Sequence, residues 1–461
     1  MSGMKHGRFQ FVRGRILILL ALAAVSLAPL GRSKGEAPGG VAREVVGGPG
    51  KLSSNLPTAP ASCQTAPSGA PLQSLVDAAP DGQAVCLSPG TYAGPAVVHR
   101  SLTLWGPRTA VIQSSGGGTT IDIQADRVAL LGFTVHGSGD RFDRNDSAIR
   151  VHGSDVRVEG VRIEAALFGL IAEQSHRVVF RHNEITGDPR QHLGLRGDAI
   201  RVWETTDSLI EENLVTYGRD ILIWYSSACH VVNNIVSDSR YGTHFMYSRD
   251  AVVRGNRYLR NIVGVFLMYS HGVRLEHNLV LDSSEEGMGI GIKDSDDLIT
   301  ADNLILRNTT GAYVDASPAA PEDANVFERN LFALNGTAVI FHSSEANTSM
   351  LDNSFRNNQA ITSVEGNGDA MAVSWHSNYF DDYAGYDFNH DGRGDVPYEL
   401  RSFSDELTAE YPELGFLRGS PALSLLDVLS HAFPLLQPRL ILMDPSPRMN
   451  PPQPPEFPSA S

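Results

Sequence analysis

The sequence predicts an all-β fold, a right-handed single-stranded parallel β-helix of about a dozen coils with a short C-terminal helical or irregular extension. Three observations favour this fold. Short segments in which apolar and variable residues alternate recur about every 22 residues, as in Gly242–Met246 and Gly264–Met268. An asparagine follows most of these segments by about ten to fifteen residues, in a series that runs from Asn183 to Asn378. The Asn, Gly and Asp residues between the segments leave no uninterrupted stretch for a long helix.

Each repeat is interpreted as one coil of a solenoid, because a single coil cannot bury its apolar face whereas stacked coils share a core. Asparagine tolerates the left-handed backbone of a tight corner, and its amide can hydrogen-bond to the same residue one coil further on. The recurring segments are Ala148–His152, Gly169–Glu173, Ala199–Trp203, Asp220–Trp224, Gly242–Met246, Gly264–Met268, Gly289–Lys293, Gly311–Asp315 and Ala338–His342. The asparagines are Asn183, Asn213, Asn234, Asn256, Asn278, Asn303, Asn330, Asn353 and Asn378.

Residues 1–32 predict an export signal. Lys5, Arg8 and Arg13 precede an apolar run, Ile16–Leu30, which suits a signal peptide and is shorter than the ~20 residues that span a bilayer. The alternative is an uncleaved membrane anchor, and in either case the remainder of the chain is expected outside the cytoplasm.

A linker and the start of the fold follow the signal. Residues 33–70 are rich in Gly, Pro, Ser and Ala and predict a linker, and the β-helix is predicted for residues 71–385. Since export permits disulfides, Cys63 and Cys86 are an expected pair at the start of the β-helix.

Composition excludes several classes of protein. With 461 residues, 42% of them hydrophobic, the chain can bury a sizeable core. Its net charge of −15 argues against binding to nucleic acid or to anionic lipid, both of which require clustered Lys and Arg. Three cysteines are too few for a disulfide-built scaffold or a Cys-ligated zinc site.

The period of two predicts which side chains point away from the core. Thr243 and Phe245 are expected to point inward, so that His244 and Met246 point outward. Met268 lies 22 residues after Met246, which places the two thioethers on adjacent rungs. One imidazole and two thioethers form a soft ligand set that selects Cu(I) over Ca²⁺ or Mg²⁺. Met288 is a further candidate ligand from the next coil.

An aromatic stripe flanks these three residues, where a solvated ladder would ordinarily carry Thr, Ser, Lys and Glu. Exposed apolar area of this extent marks a binding surface. The alternative is that a loop or the C-terminal segment covers it. The stripe consists of Trp203, Trp224, Phe266, Tyr247 and Tyr269, with Tyr225 beside them.

The acidic, Gly-rich loop at residues 386–400 offers two interpretations. Asp387, Asn389, Asp391 and Asp395 have the oxygen-rich spacing of a calcium loop, although position twelve is Tyr398 instead of glutamate. The alternative is an Asx-turn loop held by its own hydrogen bonds.

Residues 401–443 predict the C-terminal helical extension. Ser420 and the proline after it suit a helix start, and Leu425 and Leu429 belong to an apolar stripe with helical spacing that ends at Pro434. On its residues alone, this helix is expected to pack as a cap on the last coil. Residues 444–461 form a Pro-rich tail.

From roughly residue 73 to 450 the chain resembles the NosD family, periplasmic proteins that work with an ABC transporter in maturing the copper sites of nitrous oxide reductase. A rung that combines histidine, aromatic residues and methionine precedes the acidic Gly-rich tail, and this order carries the resemblance. The matching segments are Tyr241–Met246, Leu267–Met268, Asn378–Tyr383, Asp387–Asp395 and Ala432–Pro434.

The resemblance implies a copper-delivery protein without enzymatic activity, with His244, Met246 and Met268 at the positions where the family carries its His and Met residues. It also implies partners: the ATPase and the membrane permease of the transporter, a copper-donor chaperone, and nitrous oxide reductase as client. Through these subunits the protein is expected at the inner membrane, and the C-terminal helix is expected to dock on the transporter.

Two other functions remain open at this point. Solenoids of this shape often host polysaccharide lyases and hydrolases or bind sugars, because aromatic rings stack on sugar rings. A carbohydrate-active enzyme needs paired carboxylates, but the outward Glu173 and Asp315 are expected about 24 Å apart. The other alternative is a structural or adhesive surface protein.

Overall fold

A computed structural model describes residues 56–455, except 284–286, 345–346, 367 and most of 403–437. In this part the chain forms a right-handed parallel β-helix of about 14 turns, so the predicted fold class is confirmed. The predicted signal at 1–32 and most of the predicted linker lie outside the described residues.

Each full coil contributes one short strand to each of three parallel sheets, here sheets A, B and C. Sheet A contains Gln64–Ala66, Gln83–Leu87, Leu102–Trp105, Ala129–Leu131, Arg157–Glu159, Val179–Arg181, Leu209–Glu211, His230–Val232, Val252–Arg254, Arg274–Glu276, Leu298–Ala301, Asn325–Glu328, Thr348–Leu351 and Ser374–His376. Sheet B contains Gly90–Ala93, Ala110–Gln113, Thr134–His136, Arg162–Glu164, Glu184–Thr186, Leu214–Thr216, Ile235–Ser237, Arg257–Leu259, Leu279–Leu281, Leu304–Leu306, Leu331–Ala333, Ser354–Arg356 and Tyr379–Phe380. Sheet C contains Ala96–Val98, Ile121–Ile123, Ser147–Val151, Phe168–Glu173, Ile200–Trp203, Asp220–Trp224, Tyr241–Met246, Val263–Met268, Met288–Lys293, Thr310–Asp315, Thr337–His342 and Ala360–Glu365.

A buried ladder of asparagines fixes the register at the corner between sheets A and B. The backbone N–H and the Nδ2 of Asn234 both donate to Oδ1 of Asn256, at 2.8 and 2.9 Å, and Asn256 repeats this with Asn278. The Nδ2 of each also donates to a backbone carbonyl, so the amide is satisfied inside the core. The predicted contact between asparagines of successive coils is present from Asn183 to Asn378.

The predicted left-handed backbone of these asparagines is wrong. The residue before the asparagine adopts positive φ instead, as in His182 at 53° and His277 at 52°. The backbone N–H and the Nδ2 of each asparagine both donate to the next asparagine, as from Asn278 to Asn303 Oδ1. The change of chain direction at the corner is therefore made by the preceding residue.

The ladder ends on an aspartate from another part of the chain. Oδ2 of Asp444 accepts from both the N–H and the Nδ2 of Asn378, at 2.9 Å each, and Oδ1 accepts from Ser446 N–H at 3.0 Å. Asp444 is fully buried. A carboxylate suits this place because both of its oxygens face donors.

The N-terminal end begins earlier than predicted. The first strand of sheet A, Gln64–Ala66, lies inside the predicted linker and pairs with Gln83–Leu87. Cys63 and Cys86 form a disulfide with a Cα–Cα distance of 5.7 Å. A short helix, Leu72–Ala78, follows and buries Leu72 and Val76 against the core.

At the C-terminal end, Tyr398–Arg401 and Leu440–Asp444 form an antiparallel pair. The Pro-rich tail is anchored, because Arg448 donates to Asp352 at 2.6 Å. Two short 3₁₀ helices, Phe142–Arg144 and Leu193–Leu195, lie in loops of earlier coils.

The described part of the predicted C-terminal helix is helical, and Leu423 N–H donates to Ser420 Oγ at 3.4 Å. Leu425 and Leu429 are 58% and 41% exposed. The rest of this predicted helix lies outside the described residues. Among the residues that the structure describes, no helix is long and apolar enough to cross a membrane.

We predict that Asp444→Asn destabilises the last coils by about 1–3 kcal/mol. The substitution replaces one carboxylate oxygen by an NH₂ group, which is a donor. This NH₂ group would face the N–H groups of Asn378 or of Ser446, which are donors too, so a buried hydrogen bond is lost. Hydrogen exchange of the amides in Ser374–Phe380 measures this effect. The exposed Asp297→Asn is the control and should leave those amides unchanged. Equal protection in both variants would show that Asp444 does not close the ladder.

Candidate functional site

The outer face of sheet C carries the predicted ligands. Met246 and Met268 are Cα partners on adjacent rungs, and so are His244 and Phe266, as the sequence predicts. Thr243 and Phe245 are fully buried in the core, so His244 and Met246 lie on the outer side of the strand.

His244 and Met268 meet at this face. The Nε2 of His244 lies 3.4 Å from the Sδ of Met268. Contrary to prediction, His244 does not project into solvent and is only 7% exposed. The rings of Tyr241 and Phe266 cover it, with centroids 5.0 and 5.8 Å from the imidazole. The pair is therefore accessible mainly along the half-buried Met268 side chain.

Asp220, which is not among the predicted site residues, lies behind the imidazole of His244. Its Oδ2 is 3.5 Å from Nδ1 of His244, and its Oδ1 accepts from Arg240 Nε at 2.9 Å. Burial alone would raise the pKa of the Asp220 carboxyl, but its contacts with His244 and Arg240 outweigh burial and hold that pKa below its usual value. The available signal was a charged residue at the start of Asp220–Trp224, where the other segments have small residues.

The two other predicted copper ligands occupy different places. Met246 lies on the rung before Met268 and is half-buried. The Sδ of Met288 lies over Gly291, because a Cβ added to this glycine would be only 2.8 Å from the sulfur and 2.7 Å from the Phe266 ring. His244, Phe266 and Gly291 are Cα partners on three successive rungs, so Phe266 separates the Met288 sulfur from His244.

Five of the six aromatic residues of the predicted stripe form a continuous stack along the coils, and the sixth, Phe266, packs on His244 instead. Ring centroids of Tyr225 and Tyr247 are 5.0 Å apart and those of Tyr247 and Tyr269 are 4.8 Å apart, with interplanar angles of 7° and 9°. Trp203 and Trp224 continue the stack. The three inner rings, Trp224, Tyr225 and Tyr247, each stack on a ring at both sides, so they present mainly their edges to solvent, whereas sugar stacking needs a free ring face.

The outward carboxylates are not arranged as an acid–base pair. Glu173 and Asp315 are six rungs apart, about 29 Å, so the predicted 24 Å is wrong and the carboxylates are even more separated. Asp315 is also occupied, because it accepts from Lys293 Nζ at 2.6 Å and lies 2.7 Å from Nδ1 of His342. This geometry does not fit the two-carboxylate mechanism of glycoside hydrolysis.

A second group of metal-ligating side chains lies at a corner beside sheet C. Nδ1 of His271 is 3.0 Å from Asp296 and 3.7 Å from Asp323, and these groups are partly exposed. Asp323 comes from a longer loop whose Ala320 N–H donates to Asp296 at 3.1 Å. This nitrogen and oxygen set is harder than the His–Met pair.

The acidic loop is held by its own hydrogen bonds. Backbone N–H groups of Asp391 and Gly392 donate to Asp387 at 3.2 and 2.9 Å. Asn389 Oδ1 accepts from Asp391 N–H at 2.9 Å, and Asp395 accepts from Phe388 N–H at 2.6 Å. Gly392 has φ +83°, at the position where a calcium loop requires glycine. Calcium binding here stays a prediction.

Residues 181–385, which include the His244–Met268 pair, match the family described as periplasmic copper-binding protein (NosD). Over this region the chain is similar to the NosD family. The matched region contains Asp220, Arg240 and the second group at His271, and it ends before the acidic loop.

Two relatives match the chain over most of its length. A Stutzerimonas stutzeri protein named "Probable ABC transporter binding protein NosD" is 28% identical over 389 residues, which cover 78% of this chain and 85% of the relative. A Pseudomonas aeruginosa protein of the same name is 27% identical over 378 residues, covering 76% and 85%.

Solved structures share the fold alone. A GH87 α-1,3-glucanase catalytic domain has a TM-score of 0.51 at 12% identity, covering 71% of this chain and 69% of that chain. A PL6 alginate lyase has a TM-score of 0.50 at 14% identity, covering 67% and 81%.

We predict that His271 titrates above its ordinary pKa of 6.5, because Asp296 hydrogen-bonds to it and the charges of Asp297 and Asp323 favour the imidazolium, against a smaller effect of burial. With the folded-state pKa raised, any stabilisation is present below pH 6.5 and is lost as pH rises through the folded value. Asp323→Asn should lower this pKa in an NMR titration. Asp302→Asn, which breaks a distant pair with Arg329, is the control. An unshifted His271 in the unsubstituted protein would contradict the prediction.

Proposed function

We propose that this protein carries Cu(I) as cargo in the periplasm and, together with an ABC transporter, delivers it for the maturation of nitrous oxide reductase. The observation that carries the proposal is the 3.4 Å approach of His244 Nε2 to Met268 Sδ on the outer face of the solenoid. The family's description as copper-binding and the relatives' names as transporter binding proteins support it.

The spacing of the two donor atoms suits one metal ion. The 3.4 Å separation of His244 Nε2 and Met268 Sδ would let both donors bind the same ion. Met246, on the adjacent rung, has a flexible side chain that can supply a second thioether. Imidazole and thioether donors favour Cu(I) over harder ions.

The surroundings suit a carrier. Tyr241 and Phe266 cover the imidazole and limit the access of water, while the half-buried methionines stay within reach of a docking partner. Neutral thioethers hold the ion without the strong charge attraction of thiolates, which favours release.

The proposed transfer needs a surface for the ATPase and permease subunits, the donor chaperone and the client. Leu425 and Leu429 in the C-terminal extension are exposed apolar side chains, which support docking of this segment on the permease. Through this contact the protein would stay at the inner membrane.

Anaerobic competition against bicinchoninate tests the copper site. His244→Ala, Met268→Ala and Met246→Ala should each weaken Cu(I) affinity by at least about tenfold, because each removes a soft donor. Controls are the exposed His230→Ala on sheet A and the exposed Met371→Ala, which should bind as the unsubstituted protein does. Unchanged affinity in all three ligand variants would refute the assignment.

Docking is tested separately. The double variant Leu425→Glu and Leu429→Glu should lose co-purification with the permease while keeping Cu(I) affinity, because charge replaces the exposed apolar side chains. Leu195→Glu, in a loop with 60% exposure, is the matched control. If the double variant still co-purifies, the extension is not the docking segment.

A further inference from the structure

A bulge in sheet C brings His244 towards a buried carboxylate. Asp220 pairs with Tyr241 and Leu222 pairs with His244, so three residues advance on one strand while two advance on the other. Bulges of this kind re-aim side chains. The result places Nδ1 of His244 3.5 Å from Oδ2 of Asp220.

Asp220 is the one charged group in contact with this nitrogen among the described residues. Nδ1 of His244 is shielded from solvent and has no hydrogen-bond partner among the described residues, and Asp220 Oδ2 approaches it to 3.5 Å. Asp220 is itself fixed, because Arg240 binds both of its oxygens and Tyr241 N–H donates to Oδ1 at 3.3 Å. The carboxylate therefore offers a rigid acceptor on the side of the imidazole opposite Met268.

We propose that Asp220 is the positioning residue for His244: it accepts the Nδ1 proton, so that the Nε2 lone pair faces Met268 Sδ and is free for Cu(I). This inference rests on the proposed copper function. Histidine ligands commonly donate their other ring N–H to a carboxylate, which fixes the tautomer and raises the basicity of the ligand. Arg240 acts one step further out and holds Asp220.

The chain contains a matched control for Asp220. Asp198 occupies the edge of the preceding rung, is fully buried and is bound by Arg201 and Arg219 at 2.8 Å each. The described structure shows no histidine in contact with it. A variant at either position loses a buried Asp–Arg ion pair, but only a variant at Asp220 also loses the contact with His244.

The experiment compares Asp220→Asn, Asp198→Asn and His244→Ala in the full exported chain. Cu(I) affinity is measured by anaerobic competition, and the tautomer of His244 is read from ¹⁵N NMR of the copper-free protein at pH 8. Urea unfolding reports the stability of each variant. Asp220→Asn should weaken Cu(I) affinity by about 10–100-fold and mix the two tautomers, because the amide can present an N–H to Nδ1. Asp198→Asn should change stability alone.

The outcomes separate the two claims. If Asp220→Asn keeps both the affinity and the tautomer while His244→Ala loses copper, the positioning role is overturned and the copper function stands. If His244→Ala keeps full affinity, the copper function at this site fails and the role of Asp220 in it fails too. Equal losses of affinity in the two Asp→Asn variants would mean that Asp220 acts only through stability, which also overturns the proposal.

Discussion

The register between successive coils determines which side chains face the core of this solenoid and which face outward. A parallel solenoid satisfies its backbone through the next coil, and a slip by one residue would exchange inward and outward side chains. The asparagine ladder prevents such a slip, because each amide bonds both to the next asparagine and to a backbone carbonyl. Asp444 closes the ladder from a distant part of the chain. This rigid stacking places donors from different coils at fixed distances.

The candidate copper site uses that stacking and one local departure from it. Regular register sets Met246 beside Met268, whereas the bulge before His244 turns the imidazole towards Asp220 and under Tyr241. The soft donors His244 and Met268 on the outer face are thus backed by the ion pair of Asp220 and Arg240. The two solved structures compared above are carbohydrate enzymes, yet here the outward carboxylates Glu173 and Asp315 are far apart and Asp315 is ion-paired. Function therefore lies in the side chains of a few rungs and does not follow from the fold.

The sequence predicted what depends on periodicity and missed what depends on contacts between distant residues. Period two and the 22-residue spacing predicted the rung of Met246 and Met268. The burial of His244 was missed because the extra residue of a bulge is invisible in an alternating pattern. Asp220 looked like a turn residue, because its partner lies one coil away, and Asp444 is separated from Asn378 by 66 residues. The calcium site in the acidic loop was predicted from residue spacing alone, and a loop of Asx turns that binds no metal has the same spacing.

Anomalous diffraction at the copper edge from crystals of the Cu(I)-loaded protein would locate the bound ion. We expect one strong peak on the outer face of sheet C, bonded to His244 Nε2 and Met268 Sδ, with the Met246 sulfur nearby. Copper at the harder corner of His271, Asp296 and Asp323, with none between His244 and Met268, would contradict it.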